Sequence, residues 1–173
     1  KCPKWEKFLS EIFIDPVTRE SQSDVIRFVQ ALVGYSLTAS NKEQVFTICN
    51  GKGSNGKSVF LETLGAILGT ANGYARAIST EVLTSKNPDK ESVMSLKDNR
   101  FFIASESEDG EVLSAAIIKR ATGGDNFTGR HLYCANEENF IVKGKIFLST
   151  NYTPKIKDYT DSIWRRVILL DFN

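Results

Sequence analysis

The chain has little from which to build a covalent or metal-held scaffold. Its three cysteines (Cys2, Cys49, Cys134) are scattered and odd in number, and His131 is the single histidine. That composition excludes a disulfide framework and a four-thiolate or Cys/His zinc site, and it points to a reducing, intracellular setting. Long apolar runs are missing too. No stretch reaches the roughly 18 residues that a membrane helix needs, and no charged start leads into an apolar signal core, so no membrane partner is expected. Neither sign of charge dominates, with 22 Lys and Arg against 21 Asp and Glu, so any nucleic-acid contact must be local. The chain opens on Lys1 rather than Met and is read as a fragment of something longer.

A hydrophobic fraction of 41% in 173 residues is enough for one compact domain with a real core. Trp5, Phe8, Leu9 and Ile12 share one face of a helix over Pro3 to Ile12, which Asp15 and Pro16 end. A second helix starts near Ser23 and carries Val25, Ile26, Phe28, Val29, Leu32 and Val33 before ending between Gly34 and Ala39. Beyond this prefix the pattern alternates. Strands are expected at Val45 to Cys49, Phe101 to Ser105, Lys145 to Thr150 and Arg166 to Asp171, with helices at Ser58 to Leu68, Ala115 to Thr122 and within Glu91 to Lys97. The expected fold is α/β with a largely parallel sheet, divided into a helical prefix (1–40) and a core (41–173).

The most specific motif is GKGSNGKS, Gly51 to Ser58, placed between the apolar strand and the periodic helix. Glycines here let backbone N–H groups turn inward around phosphate oxygens, and the helix adds its positive end. Gly51, Gly53, Ser54, Asn55 and Gly56 are the candidate cradle. Lys57 would reach the β- and γ-phosphates, and the Ser58 hydroxyl would be one ligand of Mg²⁺. A glycine-rich turn without chemistry is the plain alternative, against which the strand, loop and helix context argues.

RFFIASE (Arg100 to Glu106) is an apolar strand ending in a carboxylate, so Glu106 is the candidate acid for metal positioning or water activation, with Glu108 and Asp109 read as solvated turn residues. KIFLSTN ends instead in Asn151, which could bond a γ-phosphate or simply form the turn that Asn151-Tyr152-Thr153-Pro154 suggests. Arg165 and Arg166 introduce the last strand, as a solvated edge or as an arginine offered to a neighbour's phosphates.

Taken in order, GKGSNGKS, RFFIASE, IKRATGGDNFTGRHLY, KIFLSTNYTPKI and IWRRVILLDF resemble the superfamily three helicases over nearly the whole chain, closest to the C-terminal helicase part of phage and plasmid primase-helicases. The resemblance implies a P-loop, AAA+-like core with a small helical region before it. It makes Gly51, Gly56, Lys57 and Ser58 the Walker A loop, Glu106 the Walker B acid and Asn151 the sensor. Lys119 becomes the lysine of the motif between Walker B and the sensor, and Arg165 the arginine finger with Arg166 as alternate. Many members carry two acids at Walker B where this chain has Ser105-Glu106, so Glu106 is expected to serve both metal and water.

The family further implies ATP and Mg²⁺, a ring, expected to be a hexamer, with nucleotide at subunit interfaces, travel on single-stranded DNA and opening of forked duplexes. A primase domain outside these residues and a cytoplasmic setting in a bacterial or phage-infected cell complete the expectation. Phe127 to Tyr133 and Phe140 to Val142 are read as a hairpin across Cys134 to Asn139, with Arg130 and His131 for DNA phosphates and Tyr133 for base stacking. Without the resemblance, His131 would be an exposed strand residue and Arg130 a partner of Asp125 or Glu137. The competing functions are an AAA+-like ATPase that loads or remodels protein partners, a phosphoryl transferase, and a nucleotide-gated assembly module.

Overall fold

The computed structural model describes residues 2–70, 73–105 and 110–173. Helix α1 (Pro3–Ile12) carries proline in its first turn, where a missing N–H breaks no helical bond, and it buries Leu9 and Ile12. Asp15 shapes the connection that follows, accepting the N–H groups of Thr18 and Val17 at 2.8 Å, and those bonds hold its carboxyl below the ordinary range. Helix α2 (Ser23–Ser36) then buries Val29 and Leu32.

The core begins with β1 (Phe46–Asn50), α3 (Lys57–Leu68), β2 (Ala75–Ile78), α4 (Glu81–Thr84), α5 (Lys90–Met94) and β3 (Phe101–Ser105). It continues through β4 (Val112–Leu113), α6 (Ala115–Gly123), β5 (Asn126–Gly129), β6 (Glu138–Ile141), β7 (Lys145–Thr150), β8 (Lys155–Ile156), α7 (Asp161–Trp164) and β9 (Val167–Asp171).

Five strands form one sheet in the order β2-β3-β7-β1-β9, and every neighbouring pair is parallel. Strand residues feed two cores by turns. Phe46, Ile48, Phe102, Ala104, Ile146 and Leu148 enter one, while Cys49, Phe101, Phe147 and Leu170 enter the other. Because both faces are covered, the strands read as continuous apolar runs, and all six residues of β7 are buried. The helical prefix belongs to the second core: Phe13, Phe60 and Phe172 meet with ring centroids 5.0 to 6.0 Å apart. The α/β class, the parallel sheet and the helical region before it are as the sequence predicts.

Some elements differ from the sequence reading. The edge strand β2 escapes it, because Ala75–Ile78 exposes its two central residues and presents no apolar run. The hairpin is shorter than expected, pairing Asn126–Gly129 with Glu138–Ile141. Its first strand ends where Arg130 turns its N–H to the carbonyl of Lys90 at 3.0 Å, so Arg130, His131 and Tyr133 lie in the connecting loop.

Candidate nucleotide site and its neighbours

Residues 51–56 leave the C-terminal end of β1 and turn into α3 through left-handed backbone at Gly53 (φ 61°), Ser54 (φ 50°) and Gly56 (φ 86°). Such a run points consecutive N–H groups toward a common centre, and α3 begins there without a side-chain cap, as a helix start that receives an anion does. Gly56 is required twice over. Its φ suits glycine, and a Cβ there would sit 2.6 Å from Ile12 Cγ2 and 3.2 Å from Phe8 Cε2 of the prefix. Asn55 fixes the loop from the other side by donating to the Phe172 carbonyl at 2.8 Å.

Lys57 is 5% exposed, and its Nζ donates to the Gly51 carbonyl at 2.5 Å, to Asn55 Oδ1 at 3.0 Å and to Asn151 Oδ1 at 3.1 Å. Loop lysine and strand-end asparagine, 94 positions apart in sequence, thus share one hydrogen bond. The parallel pairing of β1 with β7 causes this, since it brings Asn50 level with Thr150 and sets the two strand ends side by side. Thr150 Oγ1 shapes the turn that presents Asn151, donating to the Tyr152 carbonyl at 2.7 Å and accepting its N–H at 3.1 Å.

A cavity of about 290 Å³ opens here between Gly53–Val59 and Ser149–Asn151, with the Ser58 residue exposed at its wall. Inward N–H groups, a buried ammonium and a hydroxyl are the donor set that a phosphate chain with a hard cation requires, so the residues fit the group. Glu106, the expected acid, lies outside the described residues, as do Glu108 and Asp109. Directly beneath the loop, burial pushes the Cys49 thiol up to about 12, against a smaller opposing pull from Lys57, so this sulfur packs rather than reacts.

Lys119 on α6 stands in a different network. It donates to Asp158 Oδ2 at 2.5 Å and to Thr160 Oγ1 at 3.4 Å, and that ammonium, with the Thr160 hydroxyl and N–H, holds the Asp158 carboxyl well below the usual range. Asp158 is a partner that the sequence reading did not name.

Arg165 and Arg166 part company. Arg165 is exposed, with Nη2 donating to Gln44 Oε1 at 2.8 Å, whereas Arg166 is 8% exposed and turns its Nη1 to the Ser162 carbonyl. Burial, then neighbouring Arg165, lowers the Arg166 pKa. Since β9 runs parallel to β1, both arginines stand at the N-terminal ends of the strands, opposite the ends from which the loop departs. Arg165 therefore cannot serve the loop of its own chain.

At the hairpin tip, residues 130–137 are all exposed and Tyr133 is 98% so, with φ at 61°. The competing salt-bridge reading for Arg130 is weakened by its neighbour's pairing. Glu137 bonds Lys90, and Arg130 adds only a smaller attraction. Arg120 anchors the base of this hairpin, donating through Nε to the Asn126 carbonyl at 2.8 Å and lying 4.3 Å from the Phe127 ring centre.

No family model matches the chain. Among curated proteins it is similar to two named as candidate helicases: 022R of Frog virus 3 (isolate Goorha), 29% identical over 172 residues, and L207/L206 of Acanthamoeba polyphaga mimivirus, 30% identical over 169. Each match covers 95% of this chain but only 17% and 16% of the relative, so the chain spans about a sixth of their length. Among solved structures, the apo A form of the NrS-1 C-terminal region shares the fold at a TM-score of 0.64 and 17% identity, over 97% of this chain and 37% of that one. JCV helicase with a bound small molecule shares it at 0.54 and 12%, over 97% and 45%. The solved structures share the α/β fold with its mostly parallel sheet, and together with the viral relatives they support a helicase-type domain of the superfamily three kind on a P-loop NTPase core. Among the described residues, no helix is long and apolar enough to cross a membrane.

Proposed function

We propose that the chain is the ATP-driven motor of a DNA helicase in a viral, phage or plasmid replication protein. The observation that supports this reading best is the direct bond between Lys57 of the loop and Asn151 at the end of β7, which joins the ammonium assigned to the phosphates and the amide assigned to sensing them. Bound Mg-ATP would supply the electrophilic phosphorus and the shielding of charge between phosphates. The chain's own residues then hold and orient it. Loop N–H groups and Lys57 grip the phosphates, Ser58 and Glu106 are assigned to the cation, and Asn151 to the distal phosphate or its attacking water.

Arg165, exposed at the opposite end of the sheet strands, is assigned to a neighbour's nucleotide, which calls for a ring, with a hexamer as the working number. Residues 1–40 pack on the core of 41–173 and are proposed to contribute to contact between subunits. The exposed tip carrying Arg130, His131 and Tyr133 is assigned to single-stranded DNA, and Lys119 with Asp158 to the link between that region and the sensor loop. Coupling to a primase domain elsewhere in the protein and a cytoplasmic setting belong to the same proposal. Strand displacement on a forked duplex with Mg-ATP tests it. Displacement that Lys57→Ala reduces by at least about 100-fold supports the motor, whereas hydrolysis without displacement supports a loader or remodelling ATPase.

A further inference from the structure

Both ends of the Asn55 amide are bonded. Nδ2 donates to the Phe172 carbonyl at 2.8 Å, just past the end of β9, while Oδ1 accepts from Lys57 Nζ at 3.0 Å. A side-chain amide donates only through its nitrogen and accepts only through its oxygen, so a carbonyl on one side and an ammonium on the other allow a single orientation. Phe172 therefore turns the oxygen toward Lys57.

Gly51 makes room for this bridge. A Cβ there would overlap the Asn55 amide nitrogen and lie 2.6 Å from the Phe172 carbonyl oxygen, although the Gly51 backbone is not left-handed. The first glycine of the loop is thus explained by the passage of Asn55 to the end of β9, and the Gly51 carbonyl receives the same ammonium. Phe172 is held in its turn. Its N–H donates to the Asn50 carbonyl at 2.8 Å, and its ring centre lies 5.0 Å from that of Phe13, which follows α1, and 5.6 Å from that of Phe60 on α3. Contacts run without a gap from the helical prefix through Phe172 and Asn55 to the ammonium.

We infer that Asn55 is a positioning residue, which sets the Lys57 ammonium toward the phosphates by tying it to the end of β9. The inference rests on the nucleotide-site reading above and deepens it, because it gives β9 and the prefix packed behind it a hold on the group assigned to grip the nucleotide. Lysine carries its charge on a flexible four-carbon stem, and ordering such a stem when a ligand arrives weakens binding. Asn55 orders it beforehand.

The test is calorimetric titration of the 173-residue chain with Mg-ADP, for wild type, Asn55→Ala, Lys57→Met and the double variant. Asn55→Ala should weaken Mg-ADP about fivefold, the scale of freeing one long side chain. In the Lys57→Met background the same change should cost less than about twofold, because the group that Asn55 positions is gone. A loss that came only from a misshapen loop would repeat there in full. A second measurement needs no nucleotide: with trace acetic anhydride, the acetylation rate of Lys57 relative to the other lysines should rise at least about threefold in Asn55→Ala. Asn55 is half-buried in a loop, so its variant is expected to fold. No loss of affinity in Asn55→Ala, a loss repeated in full on Lys57→Met, or an unchanged Lys57 acetylation rate overturns the inference while leaving the phosphate site standing. If Lys57→Met binds too weakly to measure, the acetylation rate decides between the same two outcomes. Wild type that binds no Mg-ADP overturns the nucleotide reading and this inference with it.

Discussion

Lys57 and Gly56 show how tightly single residues are constrained around the phosphate loop. The Lys57 ammonium bonds two groups of its own loop and one of the neighbouring strand, and Gly56 has the prefix pressed against the place a side chain would take. Gly56→Ala combines a left-handed φ with a clash against Ile12, so it should cost about 1–3 kcal/mol of stability and weaken nucleotide binding further by moving the loop. Denaturant unfolding with and without Mg-ATP measures both parts, and a variant as stable and as tightly bound as wild type would contradict the packing described. The motif itself was legible, since glycines, lysine and serine stand at fixed spacing between a strand and a helix. The bond from Lys57 to Asn151 was not, because nothing local links residues 94 positions apart; parallel strand pairing makes it. Asp158 was equally hidden, as a single acid in a loop carries no pattern.

Elements explain what single residues do not. Four of the five sheet strands were legible as apolar runs, and β2 was missed because its central residues face outward. Strand direction separates the two arginines from the loop of their own chain, a fact of topology with no signature in the dipeptide. In the hairpin, α5 captures Arg130's N–H and releases the tip from strand pairing, leaving Arg130 and His131 exposed. Replacing both with Ala should lower single-stranded DNA affinity, reduce the slope of its salt dependence by about 1, and leave ATP binding unchanged. An unaltered salt slope would count against the tip as the DNA contact.

At the start of β7, Lys145 is buried over the Tyr35 ring, 4.7 Å from its centre, and donates to the carbonyls of Lys143 at 2.9 Å and Thr38 at 3.4 Å. Burial, then nearby Arg100, lowers its pKa from 10.5 to about 8. Between those values the unfolded chain holds the proton that the folded chain has released, so the contribution of this residue to stability rises with pH and its burial cost is full below pH 8. The melting temperature of wild type minus that of Lys145→Met should therefore grow by at least about 2 °C from pH 8 to pH 10. A difference that stays flat would remove Lys145 as a titrating group in that window.

For the whole molecule, the sheet separates two cores, and the prefix completes one of them. A helical start was legible from its 3.6-residue period; its seat against the loop at Gly56 and against β9 at Phe172 was not, because packing partners far apart in sequence leave no periodic trace. The arrangement leaves the candidate nucleotide site at one end of the sheet strands and an exposed arginine at the other, and under the proposed reading the site is complete only between two copies. Hydrolysis should then depend on both assembly and DNA. The measurement that tests this most directly is the ATP hydrolysis rate per subunit across protein concentrations, with and without single-stranded DNA, for wild type and Lys57→Ala. The account predicts a rate that climbs with concentration, rises further with DNA and disappears in the variant. A wild-type rate indifferent to both concentration and DNA would contradict it.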